Sequence, residues 1–155
     1  NWAIMKIGLA ADHGGYELKE KIKNYLKAEG HEVTDYGAFE YNKGDDYPDF
    51  VFPLANAVSE GKLTRGIAVC GSGIGASIAA NKVKGVRAAL VTDCFSARQG
   101  VEDDNMNIIC LGGRVVADVY AELLVKTFLE ANFSGLERHN RRLGKVKSVE
   151  LKNHE

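Results

Sequence analysis

Residues 65–82, Arg-Gly-Ile-Ala-Val-Cys-Gly-Ser-Gly-Ile-Gly-Ala-Ser-Ile-Ala-Ala-Asn-Lys, constrain this chain more than any other stretch. Arg65–Cys70 is apolar without alternation, the pattern of a strand buried on both faces of a parallel sheet. The glycines after it let the backbone turn sharply, and small residues from Ala76 onward carry a helix to about Lys82. A strand, a glycine loop and a helix in that order aim backbone N–H groups, and the positive end of the helix dipole, at an anion above the strand's carboxyl end. Cys70 stands at that edge. N–H groups there favour a thiolate, which makes the sulfur a usable base or nucleophile. The alternative is a buried structural thiol, a common state of free cysteine.

Spacing separates the motifs that share this outline. A triphosphate-binding loop ends in Gly-Lys-Ser/Thr, whereas Gly75 is followed by Ala76 and Ser77. A dinucleotide fingerprint reads G-x-G-x-x-G. This loop reads G-x-G-x-G, with Asp93 as the candidate ribose ligand, so that reading stays as a rival. A cysteine phosphatase needs an arginine closing the loop, and none lies between Cys70 and Lys82.

The rest of the chain repeats the strand–helix alternation. Met5–Ala11 reads as a strand, Tyr16–Ala28 as a charged helix ended by Gly30, and Glu32–Tyr36 as a short strand. Residues 37–47 are polar and acidic and read as a loop. Pro48 suits the first turn of a helix running from about Asp49 to Glu60. Beyond residue 82 the pattern predicts a strand at Arg87–Val91, a helix around Cys94–Val101, a strand at Ile108–Leu111 and a long amphipathic helix at Val116–Asn132. Leu143, Val146 and Val149 mark a terminal helix. Such alternation predicts a doubly wound α/β sandwich on a five-stranded parallel sheet. One domain over residues 5–152 accommodates it, with Asn1–Ile4 read as an expression scar or leader remnant.

A formal net charge of −1 directs attention away from nucleic acid and anionic membranes as partners, so anion binding must be local. The three cysteines are odd in number and form no closely spaced pair, which suits a reducing cytoplasm. No signal peptide or membrane-length apolar run is visible.

Three further clusters carry polar chemistry. Asp12-His13-Gly14-Gly15 follows the first strand as the Cys70 loop follows its own, and two such loops in a parallel sheet can face one crevice. Glu102-Asp103-Asp104-Asn105, ahead of the fifth strand, reads as a solvated turn. Arg138-His139-Asn140-Arg141-Arg142 is either a solubilising tail or, if helical, a phosphate grip, because Arg138 and Arg142 then share one face. No His/Asp/Glu group shows metal-ligand spacing along the sequence.

Ala11-Asp12-His13, Asp46-Tyr47-Pro48-Asp49, the run from Cys70 to Lys82, Gly113-Arg114 and Arg138-His139 together resemble the ribose-5-phosphate isomerase B family, which includes the galactose-6-phosphate isomerase subunits. The resemblance spans Met5 to about Val149. It implies a Rossmann-like three-layer α/β/α sandwich and an aldose–ketose isomerase of phosphorylated sugars that uses no metal or other cofactor. It further implies a homodimer or dimer of dimers with the site at the subunit interface. By analogy Cys70 moves the proton between C1 and C2, while Ser72 and the backbone of Gly71, Gly73, Ile74 and Gly75 hold the developing oxyanion. Asp12 and His13 would contact the sugar or its phosphate, and Arg114, Arg138 and Arg142 would line the anion end. One branch of the family places a carboxylate base where this chain has Ala76.

The chemistry agrees, since donors around the thiolate also stabilise the enediolate charge that appears as the proton leaves. One departure stands out. Many members carry His-Asn where this chain has Asp103-Asp104, and that histidine opens the sugar ring. Asp103 is the acid–base group available in its place, with Asp104 beside it at the site. The resemblance makes ribose 5-phosphate the expected substrate, while the missing histidine raises the chance of the alternative, a tetrose 4-phosphate, which forms no furanose ring; a hexose 6-phosphate is another. A non-catalytic nucleotide- or sugar-phosphate-binding module is the rival from a different class.

Overall fold

Large and small side chains alternate along the central strands, and this decides what packs on each face of the sheet. The structure, a computed structural model, describes residues 3–154, so Asn1 and Trp2 of the N-terminal segment lie outside the described residues. In chain order the elements are β1 (Lys6–Ala11), α1 (Tyr16–Ala28), β2 (Glu32–Asp35), α2 (Pro48–Ser59), β3 (Arg65–Cys70), α3 (Ile74–Ala80), β4 (Ala88–Leu90), α4 (Cys94–Asp104), β5 (Ile108–Gly112), α5 (Asp118–Glu130) and α6 (Glu137–Asn153). The five strands form one parallel sheet in the order β2-β1-β3-β5-β4. The α/β architecture read from the sequence is the one observed.

Ile7, Leu9, Ile67, Val69, Ile109 and Leu111 face α1, α4 and α5, where Leu18, Ile22, Val101, Leu124 and Phe128 complete a core of large side chains. The alternate positions are smaller. Ala10, Ala68, Cys70 and Cys110 face α2 and α3, against Val51, Leu54, Ala76 and Ala80. Cys70 therefore points to the same side of the sheet as the helix that follows it.

Lys19 of α1 is fully buried. Its ammonium lies 2.9 Å from both oxygens of Asp35 at the end of β2, and it donates to the Ala38 carbonyl as well. Lys23 adds a second cation 2.9 Å from Asp35 Oδ2. This cluster fastens the start of the 37–47 loop, which Ala38 N also ties to Ala11 O at 2.6 Å.

Two local expectations are corrected. Glu102, Asp103 and Asp104 are no turn but the last turn of α4, because Ala97 and Val101 continue its buried stripe as far as a left-handed Asn105 cap (φ 50°). The helix after the Cys70 loop begins at Ile74 and ends at Ala80, earlier at both ends than its small residues suggested. Among the described residues, no helix is long and apolar enough to cross a membrane.

Candidate active site

Sheet order places the site. The chain builds outward to β2 on one side of β1, and to β5 and β4 on the other side of β3, so the winding reverses between β1 and β3. Loops leaving adjacent strands part there and open a crevice at the strands' carboxyl ends. Register brings those ends level, with Ala11 opposite Val69 and Cys70 opposite Gly112.

Three loops then meet through main chain. Gly113 N donates to Cys70 O at 2.8 Å and Arg114 N to Gly71 O at 3.0 Å. A Cβ on Gly14 would lie 2.8 Å from Gly71 N, so the β1 and β3 loops touch only because that side chain is absent. Gly73 adopts φ +84°, a left-handed turn that other residues resist. Turned this way, its N–H donates to Cys70 Sγ at 3.1 Å.

A cleft of about 390 Å³ opens above them, lined by Asp12, Tyr47, Cys70, Gly71, Ser72, Gly75, Arg114 and Val115. Asp12 is buried, and its Oδ1 accepts from Gly14 N at 2.9 Å and Gly15 N at 3.3 Å. Burial pushes its carboxyl above the ordinary range, only partly offset by His13 and those two N–H groups. Ser72 Oγ accepts from Ile74 N at 3.2 Å, which leaves the hydroxyl hydrogen available. Beneath the cleft, burial first and the neighbouring Cys70 second push the Cys110 thiol far up, so it stays neutral. His13, beside Asp12, bonds through Nδ1 to Asp45 Oδ1 at 2.7 Å. Asp12, His13 and Asp45 bring one donor atom each within 4.8 Å, a grouping of metal-ligand type that sequence spacing does not reveal. His13 and Asp45 already satisfy each other within it.

The remaining predicted site residues stand elsewhere on this chain. Asp103 accepts from Gln99 Nε2 at 2.9 Å and lies 3.4 Å from His139 Nε2, while His139 Nδ1 meets Ser134 Oγ at 2.6 Å. Asp103 and the buried His139 thus join α4 to α6. Asp104 lines a separate groove of about 930 Å³ between α4, β4 and α6. Arg138 and Arg142 are exposed on α6, and neither lines the Cys70 cleft of its own chain. Asp93 caps α4, accepting from Ser96 N at 2.7 Å, so the ribose ligand of a dinucleotide site is engaged in holding a helix.

The sequence profile described as Ribose/Galactose Isomerase matches residues 7–146. The chain belongs to that family. Among solved structures, ribose-5-phosphate isomerase B of Clostridium thermocellum is 48% identical, with a TM-score of 0.93 over 96% of this chain and 99% of that one. The Mycoplasma genitalium ribose-5-phosphate isomerase B, solved with bound ribulose-5-phosphate, is 42% identical, with a TM-score of 0.89 over 94% of this chain and 95% of that one. A D-erythrulose-4-phosphate isomerase of Pectobacterium atrosepticum is 39% identical over 85% of this chain and 87% of its own. The family expected from the motifs is the family found, and this member of the Ribose/Galactose Isomerase family is a sugar-phosphate isomerase of the aldose–ketose class. The non-catalytic module gives way to an enzyme.

Six expected residues, Asp12, Cys70, Gly71, Ser72, Gly75 and Arg114, meet at one cleft. Gly73 serves it from below through its N–H, and Ile74 is exposed beside it. Sequence reasoning gave no role to Tyr47, Val115 or Asp45. Tyr47 had a signal, since it sits inside Asp46-Tyr47-Pro48-Asp49, one of the runs that carried the resemblance. Asp45 had none beyond being one acid in a polar loop.

Proposed function

We propose that the protein interconverts ribose 5-phosphate and ribulose 5-phosphate with Cys70 as the proton-transfer base. The observation that carries this is the Gly73 N–H donated to Cys70 Sγ at 3.1 Å, in a cleft that Arg114 borders. A donor held by main chain favours the thiolate without having to reorganise. On the open-chain aldose the thiolate takes the C2 proton, and the freed electron pair forms the C1=C2 enediolate as charge moves to O1. The thiol then returns that proton to C1, and transfer of the O2 proton to O1 leaves the ketone at C2. Ser72 O–H and the loop N–H groups meet the oxygen on which charge develops.

Asp12 and His13 hold the sugar, and Arg114 holds the phosphate, fixing orientation without joining the chemistry. Arg138 and Arg142 complete the phosphate site from a second copy, since α6 turns them away from the cleft on their own chain. The proposed proton transfer uses no metal, and Asp103 supplies ring opening only if a second copy brings it to the sugar.

A four-carbon substrate is the second reading. It is favoured because Asp103 is held by Gln99 and His139, and because a relative 39% identical is named D-erythrulose-4-phosphate isomerase. Measuring kcat/KM for ribose 5-phosphate and erythrose 4-phosphate in the presence of a chelator separates the two. A higher value for the pentose supports the first reading, and a higher value for the tetrose replaces it with the second. In the same assay Cys70→Ala should lower kcat by about 10³-fold with KM nearly kept, in line with the usual share of a general base. A fully active variant would remove Cys70 from the mechanism.

A further inference from the structure

Asp45 belongs to no recognised motif, yet the fold carries it across 32 residues of sequence to the turn after β1. Its Oδ1 accepts twice from His13, from the backbone N–H at 2.9 Å and from ring Nδ1 at 2.7 Å. The Asp45 side chain is only 9% exposed, against 23% for His13. Its Oδ2 is buried with no hydrogen-bond partner among the described residues, so His13 is the group its carboxylate serves. Tyr41 meets the imidazole edge-on, with ring centroids 6.2 Å apart at 90°. The ring is thus fixed by a carboxylate and an aromatic neighbour, both from the 37–47 loop.

A carboxylate accepts but does not donate, so Nδ1 must carry the proton in this contact. The other ring nitrogen, Nε2, is left for a ligand, and the choice between the two nitrogens is made by the partner of the first. We infer that Asp45 is a positioning residue for the isomerase, fixing the orientation and tautomer of His13 so that Nε2 is the atom offered to bound sugar phosphate. This rests on His13 being a substrate contact, as read above. A plain loop tether would need neither the ring bond nor a particular tautomer.

The test joins ¹⁵N NMR of histidine-labelled protein to steady-state kinetics with ribose 5-phosphate. In the neutral state, His13 should show protonated Nδ1 and bare Nε2, and in Asp45→Ala the ring should lose that fixed tautomer. Asp45→Ala should raise KM about ten-fold with kcat within about three-fold, the loss expected of one charge-assisted hydrogen bond. Asp45→Asn, whose amide oxygen can accept both N–H groups, should recover most of the affinity. In a His13→Ala background, Asp45→Ala should add less than about two-fold, the signature of action through His13. Asp45→Ser, too short to reach the ring, replaces the alanine variant if that one fails to melt cooperatively. An Nε2–H tautomer in the wild type, or an Asp45→Ala penalty unchanged without His13, overturns the inference. If His13→Ala leaves KM unchanged while wild-type His13 shows protonated Nδ1, the substrate-contact reading fails and takes the proposed role of Asp45 with it.

Discussion

Asp35→Asn isolates the charge that makes a buried lysine tolerable. Lys19 has no exposed surface, and Asp35 holds it with two 2.9 Å contacts while being 14% exposed itself. Asparagine keeps the shape and removes the counter-charge, leaving Glu20 at 3.3 Å, 31% exposed, as the remaining acidic partner of Lys19 among the described residues. Breaking a buried pair from one side costs about 3–5 kcal/mol, and the surviving Glu20 contact argues for the lower end, about 3 kcal/mol at pH 7. For a chain of this length that is a fall in Tm of roughly 6–12 °C, readable by calorimetry or by urea titration. The difference should depend on pH in a stated direction. Burial pushes the Asp35 carboxyl up, but hydrogen bonds from Lys19, Lys23 and Gly37 N more than reverse this and hold it below its ordinary value. A depressed carboxylate contributes fully above the unfolded carboxylate range and loses that contribution as pH falls through its folded value. The gap between wild type and Asp35→Asn should therefore be widest at neutral pH and shrink below about pH 4. A variant within about 1 kcal/mol of wild type at pH 7, or a gap that persists in acid, would refute the claim that this pair holds the lysine.

Three further outcomes follow from the same geometry. Gly73→Ala must accept φ +84° and a Cβ 2.6 Å from Leu90 Cδ1, so kcat should fall about 100-fold as the N–H leaves Cys70 Sγ; near-normal turnover would mean that this donor is dispensable. Arg142→Ala should weaken sugar phosphates and inorganic phosphate alike, and mixing it with Cys70→Ala should restore activity if α6 serves a second copy; absence of complementation would return Arg142 to the solvent. Alkylation of the native protein should spare the fully buried, neutral Cys110, which mass mapping would check, whereas substrate should slow modification of Cys70.

Much of the fold was legible because its signals are local. Tyr16–Ala28 and Arg65–Cys70 are observed with the limits their patterns gave, one marked by glycine after an amphipathic run and the other by unbroken burial. The Cys70 loop and its partner after β1 were legible for a related reason, since strand, glycine and helix in order dictate where a loop must stand. Glu102–Asp104 misled because acidic composition resembles a turn, while the Ala97–Val101 spacing and the capping Asn105 carried the helix signal. Asp45 was invisible because its contacts are two hydrogen bonds to His13 formed across 32 residues. The position of α6 was equally hidden, since among the described residues His139 is its one buried side chain and no periodicity announces a joint made of Ser134, His139 and Asp103.

The main-chain floor beneath the cleft bears on how such an enzyme can diverge. Gly14, Gly71 and Gly113 bring three loops together through atoms that every residue shares, so mutation has few ways to retune this main-chain platform short of breaking it. The side chains around the rim, Tyr47, Ser72, Arg114 and Val115, can vary without moving that platform. With Cys70 as the base proposed above, a change of substrate falls to those walls rather than to the floor. Relatives at 48% and 39% identity to this one chain carry the names of a pentose phosphate and a tetrulose phosphate isomerase.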